Sequence, residues 1–324
     1  MSWLPKKKVD DNFVQEALTD CQSSGIWVNG GKYVTLLENK FAELANIPSD
    51  LDVIYVNSGT SALHLSFRLI QKIFPNFKKI VTSAFTFPSV VQSYVFPHEI
   101  IDIKKDFQPK CSKDENDINV ITNLFGYVND LDLYQNKFVI FDNSATPFGR
   151  YKNKSIHSYG FCSIVSLHHT KMIGFGEGGF LIISKEFSEL ARSLLSFGFT
   201  KNERIYKEEG SNFKASEISA IYSLQYLKTL PLWKSKVKEN FEYLNKKLNG
   251  KTLKNFASEY LPGCFVYVND SKISLKGNSA KKYYTPLNFQ PVSANLFDRI
   301  LCIPIHQEMN QESINKILEV HSIG

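Results

Sequence analysis

Apolar residues in this chain follow two rhythms. Short, nearly unbroken apolar runs recur at 53–56, 79–82, 99–103, 119–123, 138–141, 161–167 and 179–183. Continuous rather than alternating runs of this length suit strands covered on both faces, as in a mainly parallel sheet. Elsewhere the spacing lengthens to the helical period, at 36–44, 61–72, 185–196 and 215–228. Pro231 then closes one helix and leads into another over about 232–248. Strand–helix alternation through residues 15–230 predicts an α/β fold, a mainly parallel mixed sheet flanked by helices. From about 250 the pattern changes to short strands (263–268 is one), loops and a closing helix at 311–320, which predicts a small α+β domain. With the boundary inside the long helix, the large domain is 1–235 and the small one 236–324.

Candidate chemistry sits at the predicted strand ends. The strand over 161–167 runs into Ser166-Leu-His168-His169-Thr-Lys171, then a glycine-rich turn, then the strand that begins at Gly179. A lysine held at a strand end beside glycines suits a Schiff base with an aldehyde cofactor; the bland alternative is a solvated turn lysine. The strand over 138–141 ends in Asp142, a carboxylate able to pair with a protonated pyridine nitrogen such as that of pyridoxal phosphate (PLP). Asn57-Ser-Gly59-Thr60-Ser61 follows the first strand and opens a helix, so its N–H groups and hydroxyls can cradle a phosphate or simply cap the helix. Phe85-Thr-Phe87 ends another strand and offers aromatic faces, for a flat ring or for the core. Cradle, aromatic, aspartate and lysine in this order are jointly far more specific than any one alone.

In that order the motifs resemble the DegT/DnrJ/EryC1/StrS family, PLP-dependent sugar-nucleotide aminotransferases of fold type I, and the resemblance covers nearly the whole chain. Ser24-Gly-Ile-Trp27-Val-Asn29-Gly-Gly31 is similar to the family's substrate loop, and Asn123-Leu-Phe-Gly126-Tyr to its loop before the aspartate strand. The stretch Ser166 to Gly179 matches the Schiff-base motif most closely. Gly210-Ser-Asn212-Phe-Lys214 resembles the loop that reaches a neighbouring subunit's site, and Tyr284-Thr-Pro-Leu is similar to part of the family's C-terminal signature. The resemblance implies Lys171 and Asp142 as catalytic residues. It implies cofactor contacts from Gly59, Thr60, Ser61, Phe87, Ser166 and Asn212, and substrate contacts from Trp27, Asn29, His168, His169, Lys214 and Tyr284. Two departures stand out. Ala145 occupies the place of a glutamine that bonds the cofactor's ring oxygen, leaving Asn143 or Thr146 as substitutes, and Lys214 replaces an arginine, which weakens any bidentate anion contact there.

The implied reaction passes an amino group from L-glutamate, through the PLP and pyridoxamine forms of the cofactor, to a keto sugar on a nucleoside diphosphate. The motif around Lys171 looks most like members that convert dTDP-4-keto-6-deoxyglucose to dTDP-4-amino-4,6-dideoxyglucose for surface glycans. Open beside it are GDP- or UDP-linked sugars, C3 amination, a PLP-dependent sugar dehydratase, and a non-catalytic cofactor- or sugar-binding protein. Members that dehydrate carry histidine at the lysine position, so Lys171 favours transamination. The expected partner is a second copy, in a homodimer with shared sites.

Composition narrows this little further. A formal net charge of +6 suits a polyanionic nucleotide, and also nucleic acid, but no basic helix face or aromatic-basic motif supports the latter. The run Lys6-Lys7-Lys8 reads as a solvated flank. Five scattered cysteines without a CxxC pair argue against a disulfide framework or metal site, and no second ligand cluster completes a metal site with His168 and His169. No signal peptide or bilayer-length apolar stretch is visible, so a cytoplasmic enzyme without metal or membrane partners is expected.

Overall fold

The computed structural model describes residues 2–92, 96–135, 137–199 and 209–323. In chain order the strands are β1 Leu51–Val56, β2 Ile80–Ser83, β3 His98–Ile101, β4 Ile118–Thr122, β5 Val139–Asp142, β6 Gly149–Tyr151, β7 Lys154–Ser155, β8 Cys162–Ser166, β9 Gly179–Ser184, β10 Glu259–Tyr260, β11 Phe265–Val268 and β12 Ile300–Ile303. The helices are α1 Asp11–Ser24, α2 Lys32–Leu44, α3 Gly59–Ile73, α4 Ser89–Gln92, α5 Ser188–Leu195, α6 Glu217–Lys228, α7 Leu230–Lys247, α8 Pro291–Arg299 and α9 Gln311–His321.

Seven strands form the central sheet in the order β1-β9-β8-β5-β4-β2-β3. From β8 to β3 all neighbours are parallel, and β9 alone runs against both of its neighbours. The continuous apolar runs are explained by cover on both faces. Along β1, Val53 and Tyr55 enter one core with α1, α2, α6 and the C-terminal part, while Ile54 and Val56 enter the other with α3 and α5. Co-directional strands end on one edge, so Val56, Ser83, Thr122, Asp142 and Ser166 arrive together, and reversed β9 brings Gly179 to the same edge. In open α/β sheets that edge is where ligands bind.

The seven expected strands appear within two residues of their predicted ends. Helix starts depended on distant partners. α2 begins four residues earlier than its apolar pattern because the buried Glu217 carboxylate accepts the N–H groups of Gly31 (2.9 Å), Tyr33 (2.7 Å) and Val34 (3.4 Å). Helices α1 and α8 have no counterpart in the sequence reading. Buried Asp102 accepts the N–H groups of Val292 and Ser293 at the start of α8, both at 2.9 Å, and so pins the C-terminal part to the sheet. Strands β11 and β12 pair antiparallel beneath α7. No described helix is long and apolar enough to cross a membrane.

Candidate active site

A cavity of about 890 Å³ lies over the edge where the strands end. Lys171 lines it from the turn after β8, and its Nζ stands 5.7 Å from the centre of the Phe87 ring. Burial pushes the Lys171 ammonium down, while the Asp142 carboxylate pulls the other way. Asp142, 3% exposed at the end of β5, accepts the Ser144 N–H through Oδ1 (3.0 Å). Its Oδ2 accepts no hydrogen bond among the described residues. Asp142 lines the cavity, so that oxygen is free to accept a donor from a bound group.

Opposite, Ser58 caps α3 by accepting the Ser61 N–H (3.1 Å), leaving the first-turn N–H groups of Gly59 and Thr60 without helical partners. The packing here admits no side chain at Gly179: a Cβ would stand 2.6 Å from Gly59 N. At Gly59 one would stand 3.0 Å from Ser166 Cβ. Phe87 is 50% exposed in the cavity, and its ring meets Tyr284 edge-on at 6.1 Å. Tyr284 stacks on Phe125 (5.4 Å), and burial pushes its hydroxyl up; that hydroxyl makes no hydrogen bond among the described residues. His168 stands on the rim, with Nδ1 2.8 Å from Thr170 Oγ1 and Nε2 3.4 Å from Glu177 Oε1.

The structure thus brings Gly59, Thr60, Ser61, Phe87, Asp142, Ser166, His168, Lys171 and Tyr284 to one cavity. The other candidates stand outside it in the single chain. Trp27 and Asn29 lie on an exposed loop, held where the Trp27 carbonyl accepts the Glu217 N–H (2.8 Å). His169 turns its ring edge to Phe175 (6.4 Å). Asn212 is exposed, with its carbonyl accepting from Asn57 Nδ2 (3.4 Å), and Lys214 lies over the Phe197 ring (4.3 Å).

Around Ala145 the sequence left two substitutes open, and the structure commits both elsewhere. Asn143 donates through Nδ2 to Ser163 Oγ and accepts at Oδ1 from Asn123 Nδ2, both at 2.7 Å. Thr146 donates to the Asn123 carbonyl (2.8 Å). Neither lines the cavity, whereas Ala145 does.

One reading is corrected outright. Lys7, taken as part of a solvated flank, is half-buried, with its ammonium bonded to the Lys171 turn, and lines the cavity with Trp3, Leu4 and Pro5. Nothing in a run of three lysines marks the middle one, so no sequence signal could have found it. Also unforeseen was His157, buried beneath the strand ends with Nδ1 2.7 Å from Ser163 Oγ and Nε2 3.0 Å from the Pro147 carbonyl.

Comparison with known proteins gives the family and the fold. The sequence profile of the DegT/DnrJ/EryC1/StrS aminotransferase family matches residues 8–260. The chain is 24% identical over 255 residues to GDP-perosamine synthase of Escherichia coli O157:H7, covering 72% of this chain and 68% of that one. It is 25% identical over 213 residues to dTDP-4-amino-4,6-dideoxy-D-glucose transaminase of Shigella dysenteriae, covering 56% of this chain and 57% of that enzyme. A crystal structure of a DegT DnrJ EryC1 StrS aminotransferase from Brucella abortus superposes with a TM-score of 0.81 at 19% identity, over 96% of this chain and 95% of that one.

Proposed function

The chain belongs to the DegT/DnrJ/EryC1/StrS aminotransferase family, PLP-dependent enzymes, and from that premise we propose that it transfers an amino group from L-glutamate to a nucleotide-linked keto-6-deoxy sugar. We propose dTDP-4-keto-6-deoxyglucose as the acceptor and dTDP-4-amino-4,6-dideoxyglucose as the product, made in the cytoplasm for a surface glycan. Similarity to the Shigella transaminase supports the dTDP sugar, and similarity to the Escherichia coli synthase keeps a GDP-linked acceptor as the second reading. The observation that carries the enzymatic reading is a single cavity holding a half-buried amine, a buried carboxylate, a half-exposed aromatic ring and an open helix start.

Those residues fit PLP. The unpartnered Asp142 Oδ2 suits a protonated ring nitrogen, the α3 start suits the phosphate, and Phe87 offers a face to the ring. When bound, the cofactor supplies an aldehyde and an electron-withdrawing ring that lets a proton leave the carbon bearing the amine. Lys171 would hold the aldehyde end and then carry that proton, a role suited to an amine whose ammonium is pushed down by burial. Asp142 would keep the ring nitrogen protonated. Ser166 and the turn Gly59-Thr60-Ser61 would fix the phosphate, and Tyr284, half-buried on the cavity wall, would face the substrate beside His168.

Trp27, Asn29, Asn212 and Lys214 enter this proposal through a second copy, whose exposed loops would complete the site; His169 would act only through its backbone. We place the small domain at 236–324, after the first turns of α7. The test is a panel of keto-sugar nucleotides incubated with glutamate, reading 2-oxoglutarate and product mass. Preference for a 3-keto or a GDP- or UDP-linked sugar overturns the dTDP C4 assignment. Absence of glutamate-dependent 2-oxoglutarate with every acceptor overturns glutamate transamination.

A further inference from the structure

Three carbonyls of the turn that carries Lys171 converge on one ammonium. Lys7 Nζ donates to the carbonyls of His169 (2.6 Å), Lys171 (2.7 Å) and Gly174, and lies 5.0 Å from the centre of the Tyr226 ring. An ammonium has three donors and no acceptor, so the match is complete. Within the turn, Lys171 N–H donates to the His168 carbonyl (2.8 Å) and Gly174 N–H to the Lys171 carbonyl (3.1 Å). Among the described residues no other donor reaches the His169 or Gly174 carbonyl. The turn has little slack, since a Cβ on Gly174 would stand 1.9 Å from the His168 oxygen. Burial pushes the Lys7 ammonium down to about 7. The three acceptors act in the opposite sense, because only the charged form satisfies them all.

The segment bearing Lys7 is also tied across the cavity. Lys6 N–H donates to Glu308 Oε1 (3.2 Å), His306 Nε2 donates to the Ser2 carbonyl (3.1 Å), and the Trp3 and Tyr283 rings meet at 6.0 Å. We propose that Lys7 is a positioning residue for Lys171, and that residues 2–8 form a strap that holds the Lys171 turn at one end and walls the cavity toward the C-terminal part. The proposal rests on the reading of Lys171 as the reactive amine. Lys7 touches no reacting atom; its donors are taken by backbone, and it acts through the turn.

The test uses the full-length protein with Lys7→Met, which keeps length and apolar bulk but removes the donors. Two quantities are read: amide hydrogen exchange in peptides covering 168–176, and the rate at which PLP becomes fixed by borohydride, with the labelled peptide mapped by mass spectrometry. Turn exchange is expected to rise by about tenfold, as the loss of charged hydrogen bonds implies, and fixation at Lys171 to slow by about as much. Exchange in α3 should stay as in the unaltered protein. Lys7→Arg, which keeps charge and donors, should stay closer to the original in both readouts. Unchanged exchange with Lys7→Met, or Met and Arg behaving alike, overturns the positioning role and leaves Lys171 assigned. An adduct on another lysine of the unaltered protein overturns the assignment of Lys171 itself. Should Lys7→Met not fold, Lys7→Gln carries the same comparison.

Discussion

At Lys171 burial and the Asp142 carboxylate act against each other, and burial is the larger influence. Only the neutral amine attacks an aldehyde, so a depressed ammonium makes the group reactive at a lower pH. The rate of borohydride fixation should therefore climb with pH and level off below the range of an ordinary lysine, about 10.4. A midpoint at or above that value would contradict the reading. Lys171→Ala should remove the borohydride-sensitive absorbance while the melting temperature stays close to the original, because the side chain lines a cavity and fills no core. Asp142→Asn leaves the α3 cradle intact, so cofactor retention should persist. Turnover should fall on the order of 10²-fold or more, because a preorganised charge at the reacting group is lost. Near-normal turnover with Asn at 142 would assign the ring nitrogen to another partner.

At the level of elements, a buried polar chain holds the strand ends in register. Asn123 donates to Asn143, Asn143 to Ser163, and Ser163 to His157 Nδ1, which fixes His157 as the neutral form with its proton on Nε2, donated to the Pro147 carbonyl. These links run beneath Asp142 and the cavity floor. Burial pushes the His157 imidazole down to about 4. The unfolded chain then binds the proton first, so this contribution to stability is complete above about pH 6.5 and is lost as pH falls toward 4. The loss amounts to about 3 kcal/mol at most. Denaturant unfolding followed at pH 7 and pH 4.5 should show a fall that His157→Gln reduces. An equal fall in that variant would place the acid sensitivity elsewhere.

For the whole molecule, one loop leaves three successive apolar side chains open, Ile26 (48% exposed), Trp27 (38%) and Val28 (45%). Apolar side chains exposed in a row suit a contact surface, and the proposed homodimer would cover them. If sites are shared, mixing inactive Lys171→Ala with inactive Asn212→Ala should restore activity in part, because one of the two sites in a mixed dimer keeps both residues. Failure to complement, with subunit exchange verified by mass, would argue that each site comes from one chain.

What the sequence decided by itself was everything governed by local pattern. Continuous apolar runs gave the strands, because cover on both faces needs apolar residues at every position. The order of glycine turn, aromatic, aspartate and lysine gave the cavity floor, because parallel strands bring their ends to one edge whatever lies between them. Contacts between residues far apart in the chain had no such signature. Glu217 starts α2 from 184 positions away from Tyr33, and Lys7 reaches the carbonyl of Lys171 across 164. A carboxylate or ammonium satisfies distant backbone groups through position alone, with no constraint on its neighbours in sequence. Asn143 and Thr146, open as partners for the cofactor in the sequence, were turned to the buried network by the same need to satisfy polar groups once the strands were packed. Tertiary structure alone decided those assignments, because desolvation is a property of the folded surroundings and not of the residue.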